Sequence, residues 1–220
     1  MRVAIIIPAH NEESTIAAVV RGVAAHGVAI VVNDGSRDRT AELARAAGAR
    51  VVDHAENRGY DGALQSGFEE AARLGVDAAV TFDADGQHDA AILGRVLAPI
   101  AAGEADLVIG VRPRAARISE WLFNRYTQVR FSVPDILCGL KAYRMTLFHG
   151  HGRFGADGSI GTELALASLA RGARFRLVEV PIAPRVGASR FGSVLRANWR
   201  IFRALLRAVR GYALVGAASR

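Results

Sequence analysis

The sequence predicts an α/β fold, a single domain built on a mostly parallel central sheet. Three observations carry that expectation. The 220 residues suit one domain with a well-filled core. Short runs rich in Val and Ile alternate with segments whose apolar residues recur every three or four positions. Glycine- and acid-rich stretches follow the apolar runs. Strands buried on both faces read as continuous apolar runs, and joined through helices they form parallel sheets with helices on either side.

The elements follow in order. VAIIIP (3–8) is a first buried strand, and Asn11 is placed to cap a helix through EESTIAAVVRGVAA, whose apolar residues 16, 19, 20 and 23 share a face. VAIVVN (28–33) is a second strand, followed by a helix through TAELARAAG that stops at Gly48. RVVDH (50–54) is a short third strand, residues 60–74 a helix, AAVTFD (78–83) a fourth strand, 89–102 a helix and DLVIGV (106–111) a fifth strand. The second half breaks this rhythm. Residues 113–133 read as an amphipathic helix, 139–144 as a strand, 162–172 as a helix and 174–182 as a strand. No repeat, low-complexity segment or linker divides the chain. One domain over 1–220 is expected, with residues 1–112 and 113–220 as functional halves.

Composition narrows the function classes. Hydrophobic residues make up 51% and charged residues 22%, the balance of a soluble globular protein. The N-terminal apolar run is too short for a signal-peptide core, and no segment reaches the roughly 18 apolar residues of a membrane span. The single cysteine, Cys138, forms no intramolecular disulfide, in keeping with a cytoplasmic chain. Charge is unevenly placed. Residues 1–110 hold 9 Arg and no Lys against 16 acids, net −7; residues 111–220 hold 18 Arg and 1 Lys against 5 acids, net +14. That division predicts a metal site in the first half and an anionic partner for the second, with Arg-rich solvated faces as the alternative.

Ligands of such sheets gather at the carboxyl ends of the strands, where the loops at 8–12, 33–39, 57–62 and 83–89 fall. In NDGSRDRT, Gly35 permits a tight turn and Ser36 or Asp38 can cap the next helix; Asp34 reads either as part of that turn or as an acceptor for a nucleotide base or ribose. In ENRGYDGALQSGF, glycines 59, 62 and 67 allow close backbone approach. In FDADGQHD, Asp83 and Asp85 stand two apart at the predicted strand end, so both carboxylates can converge. Such hard oxygens suit Mg²⁺ or Mn²⁺ shared with substrate phosphates, with Gln87 and His88 as further contacts.

PAHNE (8–12), VVNDGSRDRT (31–40), NRGYDGALQSGF (57–68), FDADGQHD (82–89) and VIGVR (108–112), in this order, resemble family 2 glycosyltransferases of the GT-A fold. The nearest likeness is to dolichol- and polyprenyl-phosphate mannosyl- and glucosyltransferases. It continues more loosely through DILCGLKAYR (135–144) and EVPIAPRVGASRFG (179–192). The resemblance implies a Rossmann-like α/β/α sandwich and an inverting transfer from a nucleotide-diphosphate sugar. It implies that Pro8, His10 and Glu12 line the nucleotide pocket and that Asp34 binds the base. Asp83, with Ala84 beside it, would meet the nucleotide-sugar, while Asp85 and Gln87 hold the metal. Arg112 would meet phosphate or acceptor, and Arg185 and Ser189 the donor diphosphate. The chain departs from the family where Asn33 replaces an Asp, His10 the usual Tyr or other residue, and Cys138-Gly139-Leu140-Lys141 the usual Ser/Thr-Gly-Phe-Arg. The stretch between Arg112 and Asp135 is shorter than usual, and the two transmembrane helices of many relatives are absent.

The acceptor divides the readings. A hydroxyl needs a base, for which Asp135 and Glu163 are the candidates; Glu163 also reads as an acid favoured by a helix N-terminus. A phosphate needs cations instead, and the second half is rich in arginine. In FGSVLRANWRIFRALLRAVRG (191–211), apolar residues and arginines each step by three or four, as on a helix that lies at an anionic membrane surface or packs on the sheet. The expected acceptor is therefore a polyprenyl phosphate, met peripherally at the inner membrane face. The alternatives are a soluble enzyme acting on a saccharide or protein hydroxyl, and an inactive nucleotide-sugar binding module. A nucleotidyltransferase would need a Gly-rich basic loop that PAHNEEST lacks. Nucleic acid is not an expected partner, because no stacking platform interleaves with the basic residues. Oligomeric state is not legible.

Overall fold

The computed structural model describes residues 1–113, 117–155, 158–181 and 194–212. Seven strands form one sheet: β1 (Val3–Ala9), β2 (Val28–Asp34), β3 (Arg50–His54), β4 (Ala78–Thr81), β5 (Leu107–Val111), β6 (Lys141–Arg144) and β7 (Phe175–Glu179). The eight described helices are α1 (Ile16–Val23), α2 (Thr40–Ala46), α3 (Gly59–Arg73), α4 (Ile92–Ala101), α5 (Ile118–Phe131), α6 (Met145–His151), α7 (Glu163–Ala170) and α8 (Val194–Tyr212). The strand order is β3-β2-β1-β4-β6-β5-β7. All pairings are parallel except those of β6, which runs against β4 and β5.

Side-chain alternation builds a core on each face. From β1, Val3, Ile5 and Ile7 join α1, α2 and α4 in one cluster. Ala4 and Ile6 point the other way, into a cluster with residues of α3 and α5–α8. The result is the expected α/β/α sandwich. Helix α3 packs close: a Cβ on Gly67 would stand 2.3 Å from Ile6 Cγ2.

Order reverses between β1 and β4, since β2 and β3 extend to one side of β1 and the rest of the sheet to the other. A crevice opens at such a switch point, flanked by the loops after β1 and β4. Antiparallel β6 begins at that same end, because Lys141 pairs with Thr81 at the end of β4. Residues 138–141 of the second half are thereby brought to the loops of the first.

Several sequence expectations shift. Asn11 does not cap α1: it holds a left-handed conformation, φ 53°, and its Oδ1 accepts from Arg37 N at 2.9 Å. The helix begins at Ile16. Strand β4 ends at Thr81 rather than 83, because Phe82 N makes a last bond to Ile6 O at 2.9 Å before the chain turns. Helix α6 was not foreseen. Helix α8 buries Ile201, Ala204 and Ala208, while Trp199, Phe202 and Leu206 stay exposed. Of the apolar residues that the sequence periodicity aligned, Leu205 packs against the core while Trp199, Phe202 and Leu206 do not.

Candidate functional site

A cleft of about 660 Å³ lies over the switch point. The loops after β1 and β2 form one wall by binding each other. His10 Nδ1 donates to Asp34 O at 2.8 Å, Asn11 N donates to Ser36 Oγ at 3.0 Å, and Glu12 N donates to Thr40 Oγ1 at 2.7 Å. Because a carbonyl only accepts, the His10 proton sits on Nδ1. Pro8, His10, Glu12 and Asp34 all line the cleft.

Asp34 is also a structural hub. Its Oδ1 accepts from His54 Nδ1 at 2.7 Å and from Arg58 N at 2.8 Å, and its Oδ2 accepts from Gly59 N at 2.9 Å. The carboxylate thus ties β3 and the start of α3 to the end of β2. A carboxylate has about four lone-pair sites, and these bonds leave room for another donor at Oδ2. Asn33 instead reaches sideways, donating to Asp53 Oδ1 at 2.9 Å.

The acidic loop forms the floor. Asp83, Ala84, Asp85 and Gln87 all line the cleft, but the two carboxylates converge through a turn past β4 rather than along a strand. Asp85 Oδ1 accepts from Gln87 N at 3.1 Å. Asp83 Oδ1 accepts from Tyr60 Oη at 3.2 Å, and its Oδ2 lies 3.9 Å from His88 Nε2. Burial pushes the Asp83 pKa up; His88 opposes the rise and the Asp85 carboxylate adds to it. His88 is itself buried, with no partner for Nδ1. Among the described residues no group of three or more His, Cys, Asp or Glu side chains forms a complete metal cage. The donor set fits Mg²⁺ or Mn²⁺ bound in part by substrate oxygens, since two hard carboxylates and an amide leave positions for phosphate and water.

The same cleft also holds cationic side chains. Arg112 meets Asp135 through Nε at 2.7 Å and Nη2 at 2.8 Å. Burial works against the Arg112 charge, but the Asp135 hydrogen bonds outweigh it and hold the guanidinium pKa above its ordinary value. Arg117 Nη1 donates to the buried Glu120 at 2.7 Å. Lys141 is buried at the cleft wall, with Nζ donating to Cys138 O at 2.6 Å and Gly161 O at 3.4 Å. Burial lowers its pKa, against the pull of Cys138, Asp135 and Asp83. Burial also pushes the Cys138 thiol up to about 11. Arg200, from α8, completes the set.

Neither Asp135 nor Glu163 is among the residues lining this cleft. Asp135 stands behind Arg112. Burial works against its charge, but the Arg112 bonds prevail and hold its pKa below the ordinary carboxylate value. Glu163 Oε1 accepts from Arg153 Nε at 2.9 Å and from His151 Nε2 at 3.4 Å, at the start of α7. Arg185 and Ser189 lie outside the described residues. Sequence reasoning overlooked Tyr60, Arg117, Glu120 and Arg200 as cleft residues. Tyr60 stood inside a quoted motif; the others carried no signal beyond helical spacing.

The sequence profile described as Glycosyl transferase family 2 matches residues 4–153. Among curated proteins, the chain is 35% identical over 127 residues to a UDP-N-acetylglucosamine–dolichyl-phosphate N-acetylglucosaminyltransferase of Methanococcus voltae, covering 49% of this chain and 51% of that protein. It is 31% identical over 204 residues to an undecaprenyl-phosphate mannosyltransferase of Micrococcus luteus, covering 83% of each. The chain thus spans about half the length of the Methanococcus relative and most of the Micrococcus one. Among solved structures it resembles glucosyl-3-phosphoglycerate synthase from Mycobacterium tuberculosis in complex with Mn²⁺ and uridine-diphosphate-glucose, with a TM-score of 0.76, 23% identity and 94% of this chain and 78% of that chain covered.

Proposed function

The chain belongs to glycosyl transferase family 2, and from that premise we propose that it moves a sugar from a nucleotide-diphosphate donor to a polyprenyl phosphate. One observation carries the reading: a single cleft brings the carboxylates Asp83 and Asp85 together with the cations Arg112, Arg117, Lys141 and Arg200. The curated relatives named for dolichyl- and undecaprenyl-phosphate transfer support the acceptor class. The GT-A-like neighbour crystallised with Mn²⁺ and a nucleotide sugar supports the donor end.

Asp34 offers its remaining acceptor site to the nucleotide, on the wall made by Pro8, His10 and Glu12. Asp85 and Gln87, with Asp83 beside them, would hold a divalent cation. When bound, that cation supplies positive charge against the donor diphosphate. The acceptor phosphate is steadied by Arg112 and Arg117, which are oriented by Asp135 behind Arg112 and by Glu120 beside them in the cleft. One of its oxygens attacks the anomeric carbon as the bond to the diphosphate breaks, inverting that carbon. The attacking oxygen is already anionic, so no carboxylate need take a proton, in keeping with the positions of Asp135 and Glu163.

No described helix is long and apolar enough to cross a membrane. The basic second half and the exposed arginines of α8 fit peripheral contact with an anionic surface on the cytoplasmic side. The test is transfer of radiolabelled sugar from a panel of nucleotide-diphosphate sugars to polyprenyl phosphate in Mn²⁺. Wild-type protein is expected to form lipid-linked sugar, while Asp85→Asn keeps its melting temperature and loses transfer. Full transfer by Asp85→Asn, or in excess EDTA, contradicts the metal assignment.

A further inference from the structure

The surface beside these cations carries an apolar groove that the transfer chemistry alone does not use. Its walls are Ile118 and Leu122 of α5 and Trp199 and Phe202 of α8, and its volume is about 390 Å³. Ile118 is 78% exposed and Trp199 61%. The Trp199 and Phe202 rings stack with centroids 6.2 Å apart. At the base, Ser119 Oγ donates to Asn198 Oδ1 at 2.5 Å and pins the two helices together. Isolated exposed apolar residues need no explanation; here four of them line one groove.

Groove and cleft are built from interleaved residues. On α5 and the residue before it, Arg117 and Glu120 face the cleft while Ile118, Ser119 and Leu122 line the groove. On α8, Arg200 and Ile201 face the cleft while Asn198, Trp199 and Phe202 line the groove. The apolar surface therefore starts where the cationic set ends. An amphiphile with an anionic head and an apolar tail matches that order, head in the cleft and tail along the groove. If each carbon occupies somewhat less than the roughly 30 Å³ of a liquid water, a five-carbon isoprene unit takes on the order of 100 Å³. The groove then has room for a few such units.

We infer that the α5–α8 groove binds the first isoprenoid units of the acceptor, next to its phosphate. This rests on the proposed acceptor class and adds a tail subsite to it. The groove recognises hydrocarbon one prenyl unit at a time, independently of any bilayer.

The experiment uses soluble prenyl monophosphates of one, two and three isoprene units, in buffer without lipid or detergent, with methyl phosphate as the tail-less control. The Trp121→Phe protein leaves Trp199 as the one remaining tryptophan. Its fluorescence reads binding without turnover, and KM for transfer is measured in parallel. Affinity is expected to tighten on the order of tenfold or more across the series. Leu122→Ser and Phe202→Ser, both at exposed positions, should flatten that dependence while leaving methyl phosphate binding and the melting temperature unchanged. Length-independent binding by the parent protein overturns the inference, as does length dependence that survives both substitutions. Loss of vesicle binding by these variants, with no length dependence in solution, also overturns it and makes the face a bilayer contact. Length-dependent binding without any transfer supports the groove and removes the acceptor reading instead, so the two failures are distinguishable.

Discussion

Arg112 and Asp135 meet through two hydrogen bonds of 2.7 and 2.8 Å, and a third runs from Arg112 N to Asp135 Oδ2 at 3.1 Å. Removing one partner of such a buried pair leaves the other unpaired, so Asp135→Asn should cost about 2 kcal/mol or more in urea denaturation. A base role would instead leave stability intact and remove only turnover. The Asp135 pKa is lowered in the folded state. Its contribution is therefore fully present above the unfolded carboxylate value of about 3.9 and lost as pH falls through the lowered value. The stability gap between wild type and Asp135→Asn should close in acid; a gap that widens there contradicts the pairing. Gly139 gives a second test. A Cβ there would stand 2.3 Å from Asp83 Oδ2, so Gly139→Ala must displace that carboxylate. Mn²⁺-dependent binding of nucleotide diphosphate should weaken about tenfold or more, the scale seen when support around a metal ligand is disturbed. Unchanged affinity would detach Asp83 from the donor site. The motif residues were legible because their chemistry is local: acids and glycines after strands. The backing of Arg112 by Asp135 was not, because residues 23 apart are brought together only by the sheet.

Helix α8 shows where sequence periodicity stops deciding. Two faces of the helix are apolar. The small residues Ala204 and Ala208 let it approach α5 and α7, while the large Trp199, Phe202 and Leu206 are left outside. Hydrophobicity marks both faces, and only volume against the neighbouring helix separates them. The strands were legible because β1, β2 and β4 are buried on both sides and read as unbroken apolar runs. Helix α6 was missed because Met145–His151 is short and carries glycine and histidine in its last turn. The α3–β1 contact is testable at Gly67. Its new methyl in Gly67→Ala would meet Ile6 Cγ2 at 2.3 Å in a filled core, so a loss of about 1–3 kcal/mol is expected in chemical denaturation. A neutral or stabilising result would show that α3 can retreat from the sheet.

Across the whole molecule, charge and topology work together. The acidic first half supplies the floor of the cleft, and antiparallel β6 carries the basic second half back to the same end of the sheet. Arg203 and Arg210 lie exposed on α8. Each cation near an anionic surface contributes roughly 1 kcal/mol. Replacing Arg203 and Arg210 with Gln should therefore weaken anionic-vesicle binding by about thirtyfold, and raised salt should do the same. Transfer to a short soluble acceptor should survive both changes; vesicle binding that ignores both would contradict a peripheral electrostatic contact. The central claim is that the cleft selects an acceptor that brings its own negative charge. The most direct measurement offers the protein a polyprenyl phosphate and the matching polyprenol together, with nucleotide-diphosphate sugar and Mn²⁺, and weighs the products by mass spectrometry. Sugar found only on the phosphate is the predicted result. Sugar on the polyprenol hydroxyl, or equal transfer to both, would contradict it.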